Sequence, residues 1–506
     1  MEPVFKKYNQ EQGILFPPYL VDLIPLNHPV HVVNSVIEKI DIDQIKSTYE
    51  GGGTSSYEPR MMLKVLVYAY MSNVYSSRKI EALLQENIYF MWLSGSQKPD
   101  HNTINRFRSE HLKDTLKQTF SKIVLLLHEN GYLDIKDIYT DGTKMEANAN
   151  RYTFVWGRGI KTRKEKILEQ IETLWAYAEQ VTKEELMDTR PVSYEEVTPE
   201  KIAAIVEQIN EALKGKDIDK KVKQKLNRVK KTWPEQLERY EEQEKKMGGR
   251  NSYSKTDKDA TFMRMKEDHM MNGQLKAGYN WQISTNNQMI VAYSIHQSAS
   301  DTVTFKDHIE DYRQLYGATP EVVTADAGYG SEENYQYAED NEIEAFIKYN
   351  YFHKEDGKKW KSDIHRSENL YYNADLDCFF CPMGQPMKRL KESQVKTKTG
   401  FTQTIVHYQA INCNGCPLRG ACHKSQGNRI IEVNFNARRL KEKAKEKLTG
   451  EIGIKKRKRR SIEPETVFGN IKHNKNFKRF MLRGKSKVEI EVGLLAISHN
   501  LAKIAA

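Results

Sequence analysis

Apolar residues recur at helical spacing through the first 130 positions. Met61-Met62-Leu63-Lys64-Val65-Leu66-Val67-Tyr68-Ala69-Tyr70 predicts a strongly apolar helix entered at Pro59. Ser76-Ser77-Arg78-Lys79-Ile80-Glu81-Ala82-Leu83-Leu84 predicts a second, with serine as cap, and Pro99 to Arg108 a third, capped by Asp100. Short helices joined by tight turns fit a helix-turn-helix-like DNA-binding module and an ordinary helical bundle equally. In the first case Asn102, Asn105, Arg106 and Arg108 would face a groove. The pattern then changes period. Lys136 to Lys144 reads as a short strand ending at an acidic turn. Residues 160–248 are rich in Glu and Lys, with Ile167, Ile171, Leu174, Ala178 and Ile202, Ile205, Ile209, Leu213 at helical spacing. They predict a long helical hairpin, interrupted near Pro191 and Pro199 and closed by Gly248-Gly249. Tyr279 to Ile283 alternates, and Met289 to Ile295 follows the Asn286-Asn287 turn, which predicts a β-hairpin. Val322 to Ala325 is an apolar strand that runs into Asp326 and a glycine turn. A helix from near Ser331 and a strand from Ala345 to Tyr349 follow it, and a final helix spans Val488 to Ile504. The sum is a mixed α/β domain with a long helical insertion.

Composition adds limits. The chain has 506 residues, 39% hydrophobic and 10% aromatic, enough for a sizeable core and too apolar for global disorder. No run approaches the roughly 18 apolar residues of a membrane span. The start, MEPVFKKYNQEQG, lacks the apolar centre of a secretory signal, which leads us to expect a cytoplasmic protein with no membrane partner. The net charge is +11, but Arg438 to Lys487 alone holds nineteen Lys and Arg against five Asp and Glu. The remainder is therefore slightly acidic. Such a local block is either an electrostatic footprint for a polyanion or a solvated helix face.

All five cysteines lie in one segment: Cys378-Phe-Phe-Cys381-Pro-Met-Gly, then Cys413-Asn-Gly-Cys416 and Cys422-His423. Two CxxC pairs, each followed by turn residues, present two thiolates apiece to one tetrahedral metal. Disulfides are the competing explanation, which an intracellular chain disfavours. Four ligands suffice for a structural zinc ion. Cys413, Cys416 and one of Cys378 or Cys381 lead, and Cys422 competes for the last place.

Two aspartates, Asp141 and Asp326, end predicted strands, where α/β sheets place their ligand sites. A third acid, Glu465, stands in Glu465-Thr-Val-Phe468-Gly-Asn-Ile471-Lys472. Phe468 and Ile471 would face the core, and Lys472 follows Glu465 by two helical turns on the same face. A solvated helix face would look the same in sequence.

These residues carry a resemblance. Tyr139-Thr-Asp-Gly-Thr-Lys144, Thr324-Ala-Asp-Ala-Gly-Tyr-Gly-Ser331 and Glu465 to Lys472 resemble the three acidic blocks of bacterial insertion-sequence DDE transposases. Ser76 to Glu81, Pro99 to Arg108, Gly278-Tyr-Asn-Trp-Gln282 and the Cys381 to Cys422 block are similar to the branch usually numbered eleven-eighty-two, related to the IS-four and IS-five superfamily. The blocks occur in order along nearly the whole chain.

The resemblance implies an α/β, RNase H-like mixed-sheet catalytic core with an N-terminal helical DNA-binding domain, a helical-hairpin insertion and a zinc-ribbon-like insertion. The expected boundaries are 1–130 for the DNA-binding helices, 131–159 and 251–354 for the two core parts, and 160–250 for the hairpin. The Cys-rich insertion takes 355–430, and 431–506 holds the basic segment and closing helices. Asp141, Asp326 and Glu465 match the family's acids and Lys472 its lysine. Glu463 is the rival third acid. Where the family has an arginine four residues before the glutamate, this chain has Ser461, with Arg460 beside it.

The implied cofactors are two Mg²⁺ or Mn²⁺ ions per site, held by the three acids, and a structural Zn²⁺. Water would free a 3′-OH at the element's end, and that 3′-OH would attack target DNA. The implied partners are double-stranded DNA (terminal inverted repeats and target) and a second copy of the chain. Arg78, Lys79, Asn102, Asn105, Arg106 and Arg108 would help read the ends. Lys455, Lys456, Arg457, Lys458, Arg459, Arg460, Lys478, Arg479 and Arg483 would neutralise phosphates. A bacterial, nucleoid-associated location follows. A non-catalytic zinc-containing DNA-binding protein, or an RNase H-like nuclease, would share many of these features.

Overall fold

The structure is a computed structural model, and it describes residues 19–50, 56–183, 186, 189–191, 193–265 and 273–506. The N-terminal segment 1–13 expected to lack a signal lies outside these residues. Among the described residues no helix is long and apolar enough to cross a membrane.

The strands in chain order begin with β1 (Asp137–Glu146), β2 (Phe154–Trp156), β3 (Ser252–Ser254) and β4 (Thr261–Arg264). The long hairpin β5 (Leu275–Asn286) and β6 (Met289–His296) follows, then β7 (Val322–Ala325) and β8 (Glu344–Ile347). β5 lies antiparallel to β1 on one edge, and on its other edge it pairs with β4 and β6. β7 and β8 add parallel strands on the far side of β1. The sheet is therefore mixed, with β1 at its centre, the arrangement expected for the core. Asn287 and Gln288 turn the β5–β6 hairpin with φ of 51° and 58°, the left-handed pair that a tight two-residue turn requires.

One hydrophobic core joins this sheet to the N-terminal helices. Leu63, Val65 and Leu66 of the helix Pro59–Met71 belong to the same buried cluster as Ile290 of β6 and Leu494 and Ile497 of the last helix, Lys485–Ile504. The last helix is thus wedged between sheet and N-terminal helices, and the first 130 residues share their core with the sheet rather than closing on their own.

The charged span expected as a hairpin divides instead into three helices, Gly157–Thr182, Pro199–Ala212 and Lys220–Met247. They close a separate core around Trp175, Ile205, Ile209, Trp233 and Leu237. Thr198 caps the second helix with Pro199 at its first position, so the proline starts a new element where the sequence reading took it for an interruption.

The Cys-rich segment forms a second sheet with its own core. Its strands are β9 (Tyr372–Asn373), β10 (Cys378–Phe380), β11 (Pro386–Lys396), β12 (Thr402–Ala410) and β13 (Ile430–Val433), all antiparallel. Phe379, Met387, Tyr408 and Val433 fill its interior.

Candidate active site

The register of the central strands brings two aspartates together. The parallel β1–β7 pairing ends at Thr140 opposite Ala325, so Asp141, inside β1, and Asp326, just past β7, come next side by side. Asp141 is buried, its side chain 6% exposed, while that of Asp326 is 36% exposed. Asp326 also accepts from Gly328 N at 2.8 Å, which starts the short turn after the strand.

Glu465 arrives on the helix Pro464–Gly469. Val467 and Phe468 bury one side of that helix, and Phe468 sets its ring edge-on to Trp281 of β5 at 5.5 Å. The opposite side carries Glu465, half exposed. All three acids meet the guanidinium of Arg460, the last residue of the helix Glu451–Arg460. Its Nη2 donates to Glu465 Oε1 at 2.6 Å. Its Nη1 stands 3.6 Å from Asp141 Oδ2 and 4.0 Å from Asp326 Oδ2, with a hydrogen bond to neither. Sequence reading had placed Arg460 among DNA contacts; the only signal of this role was its position beside Ser461.

Glu463, the rival acid, goes elsewhere. It is buried and accepts from Gln288 N at 2.7 Å and Arg459 Nε at 3.0 Å, fastening the end of the basic helix to the β5–β6 turn. Lys472 is buried and donates to Thr143 Oγ1 at 2.7 Å, two residues along β1 from Asp141 and so on the same strand face. A π-type turn over Asn470–Asn474 breaks the regular helical spacing that the sequence assigned from Glu465 to Lys472.

The Gly278 to Gln282 motif supports this floor from β5. A side chain at Gly278 would meet Met145 O at 2.6 Å. Tyr279 donates to Asp257 at 2.9 Å, and Trp281 backs Phe468. Asn280 and Gln282 donate to Asp301 Oδ1 at 2.7 and 3.0 Å, and Gln282 Oε1 accepts from Tyr329. Burial first, then the charges of Asp141, Asp301 and Asp326, push the Tyr329 phenol well above its ordinary value, so it stays a donor. A second cation borders the site. Burial, then Arg460 and Arg457, hold Lys348 below the ordinary lysine value, with Asp326 and Glu465 as opposing charges. Sequence reading missed Lys348, which sits just past β8 with no pattern to mark it.

The remaining basic candidates divide by exposure. Arg78 and Lys79 are exposed on the helix Ser77–Glu86, as are Asn102, Asn105 and Arg106 on His101–Arg106. Arg108 is not available to a groove. It is 3% exposed and donates to Tyr70, Tyr75 O and Asn105, because the helix changes to a π-type turn over Phe107–His111 and rotates it inward. Lys455, Lys458, Arg459, Lys478, Arg479 and Arg483 are exposed. Lys456 binds Asp137, Arg457 lies over Phe352, and Arg459 holds Glu463 and Asn287. Arg479 donates to Ala147 O and Ala149 O, and Arg483 to Asn148 O. Much of the basic block is therefore engaged by groups of the same chain, even where its side chains are exposed.

Four cysteines line one small enclosed pocket: Cys381, Cys413, Cys416 and Cys422. Turns fold around the first three, with Gly384 N donating to Cys381 O at 2.8 Å and Cys416 N to Cys413 O at 3.4 Å. Arg429 points two donors at sulfur, its backbone N at Cys413 (3.4 Å) and Nη1 at Cys422 (3.0 Å). Cys378 stays in β10, buried opposite Lys388 and Asn373. Among the described residues, no three His, Cys, Asp or Glu side chains stand close enough to enclose a metal ion as they lie. Arg460 occupies the space between the acids, and Arg429 addresses the thiols.

Two families match the chain in order. The transposase domain family DUF772 covers residues 18–110, and the transposase DDE domain family covers 380–505, which includes Glu465 and Lys472. No curated protein matches. Together with the mixed α/β core, the two matches indicate an insertion-sequence DDE transposase, a class of enzymes that transfer DNA strands with divalent metal ions.

Proposed function

We propose that the chain is the transposase of an insertion sequence in the branch usually numbered eleven-eighty-two, cutting DNA at terminal inverted repeats and joining the ends to target DNA. The convergence of Asp141, Asp326 and Glu465 on Arg460 carries this reading. Three carboxylates drawn from distant parts of a chain repel one another, and a fold gathers them where a cation is to be held. Their hard oxygen donors suit Mg²⁺ or Mn²⁺, and the site already collects positive charge from Arg460. Asp141, Asp326 and Glu465 would hold two such ions, which when bound activate an attacking oxygen and stabilise a leaving one.

The chain's own residues do the rest. Lys472, oriented by Thr143, would meet a phosphate beside the cut. Asn280, Gln282 and Tyr329 hold the floor under the aspartates by fixing Asp301. Exposed Arg78, Lys79, Asn102, Asn105, Arg106, Lys455, Lys458 and Lys478 would bind duplex phosphates. Cys381, Cys413, Cys416 and Cys422 would hold a structural zinc ion, with the sulfurs of Cys413 and Cys422 receiving N–H donors from Arg429. The working unit would be a homodimer in the bacterial cytoplasm, at the nucleoid.

The test is incubation of the protein with Mg²⁺ and DNA carrying candidate terminal repeats. End-specific nicks and joined products are expected, and nicking without regard to the ends would favour an RNase H-like nuclease instead. Asp326→Asn should abolish cleavage while leaving DNA binding intact. Cleavage retained by that variant would sink the assignment.

A further inference from the structure

The Cys-rich sheet extends a two-stranded arm whose chemistry the metal pocket does not explain. β10 pairs with β11 only from Pro386 to Lys388. Beyond that point β11 pairs with β12 alone, as far as Lys396 opposite Thr402, and its outer edge is open. Side chains from Lys388 to Glu392 and from Gln394 to Lys396 are exposed. Residues 386–404 carry Lys388, Arg389, Lys391, Lys396 and Lys398 against the single acid Glu392. Arg389 is taken up by Asp377 and Glu392. The four lysines have no ion-pair partner among the described residues.

The arm is also fixed in place. Gln403 donates to Glu332 Oε2 at 2.8 Å, and Thr399 to Glu333. Glu332 is 7% exposed, and Asn434 and Asn436 donate to the same carboxylate. Gln403 and Thr399 thus fasten the arm to the start of the helix Glu332–Asp340, where Asn434 and Asn436 hold the same Glu332 carboxylate from the segment after β13. That point lies six residues after Asp326, within about 20 Å by the reach of the chain. From Met387 to Lys396 the strand spans about 30 Å, close to one turn of duplex DNA.

We propose that the β11–β12 ribbon is a DNA-binding arm whose Lys388, Lys391, Lys396 and Lys398 grip the phosphates of duplex lying against the Asp141, Asp326 and Glu465 site. This rests on the functional reading above. A two-stranded ribbon fits the major groove, and a rigid mount beside the site fixes the register of the bound duplex. The competing role of such lysines is to keep an open sheet edge from pairing with another chain.

The test uses the full chain with the four lysines changed to Gln, and a 40-base-pair duplex of mixed sequence as probe, in anisotropy titrations from 50 to 200 mM salt. The expected result is about a tenfold or greater loss of affinity and a log K against log salt slope shallower by about three to four. Lys391→Glu alone should move both in the same direction. Unchanged affinity and slope in the lysine variant, with the wild type binding normally, would overturn the arm and leave the functional reading standing. The same result with new self-association would assign the lysines to edge protection and overturn the arm as well. A wild-type chain that binds no duplex would overturn the functional reading and the arm with it.

Discussion

Arg460 and Glu465 form a 2.6 Å charge-assisted hydrogen bond across a helix break, and the same guanidinium lies within 4.0 Å of Asp141 and Asp326. The basic helix ends at Arg460 and the next begins at Pro464, so the two residues face each other although they are five apart. One internal cation thereby holds three acids that would otherwise repel.

That arrangement sets up a competition. A divalent ion entering between the carboxylates must displace Arg460. Arg460→Ala should therefore lower the melting temperature in chelator by a few degrees, and should gain more on adding Mn²⁺ than the wild type gains. Equal Mn²⁺ gains in the two proteins would show that the guanidinium and the ion do not compete.

Glu465 and Glu463 should separate cleanly. Glu465 is half exposed and among the described residues bonds only to Arg460, so Glu465→Gln should remove strand cleavage with little change in stability. Glu463 is 3% exposed at its side chain and accepts from Gln288 N and Arg459. Glu463→Gln should cost about 1–3 kcal/mol of stability in denaturant titration, with cleavage kept by the folded fraction. The reverse pattern would exchange their roles.

The sheet was legible because its signals are local. Alternation gave β5 and β6 and an apolar run gave β7 with Asp326 just past its end, whereas the strand read as ending at Asp141 runs on to Glu146 and carries Asp141 at its middle. What escaped depended on breaks in regular geometry. Arg108 was set toward a groove by helical spacing, and a π-type turn carries it inside. Arg460 was counted with its basic neighbours, and only the break after it turns it onto the acids. The three-helix insertion read as two helices because the second break, over 213–219, has no proline to mark it and is turned by Gly215 at φ 78° within a charged run. Cys378 and Cys381 are alike in sequence, while strand pairing keeps the first in the sheet and the turn at Gly384 sends the second into the pocket.

That last distinction is measurable. Cys416→Ser should lose bound zinc, read by metal analysis under reducing conditions, and the Cys-rich sheet should become sensitive to protease. Cys378→Ser should keep one zinc per chain. Loss of zinc from Cys378→Ser with retention in Cys422→Ser would return Cys378 to the ligand set.

The buried junction between the N-terminal helices and the last helix should make stability depend on pH. Glu491 is fully buried, accepts from Met481 N and Leu482 N, and faces Arg108, Tyr70 and Tyr75. Burial pushes its carboxyl up to about 7 from an ordinary 4.5. The folded chain thus holds a proton that the unfolded chain releases. Stability from this group is complete below about pH 4.5 and is lost as pH rises through about 7. Lys475, across the same junction, is lowered by burial to about 8, so its contribution is lost as pH falls through that value. Between pH 5.5 and 7 the lysine stays charged in both states, while the buried His296, His308 and His499, lowered to about 4, 3 and 4, gain stability as pH rises and so oppose the glutamate. Glu491→Gln keeps a carbonyl oxygen for the two backbone donors and removes the titration. Denaturant unfolding should show the wild type losing, relative to Glu491→Gln, on the order of 3 kcal/mol between pH 4.5 and 7, the histidine contribution cancelling in the difference. Parallel pH profiles for the two proteins would place the titrating group elsewhere.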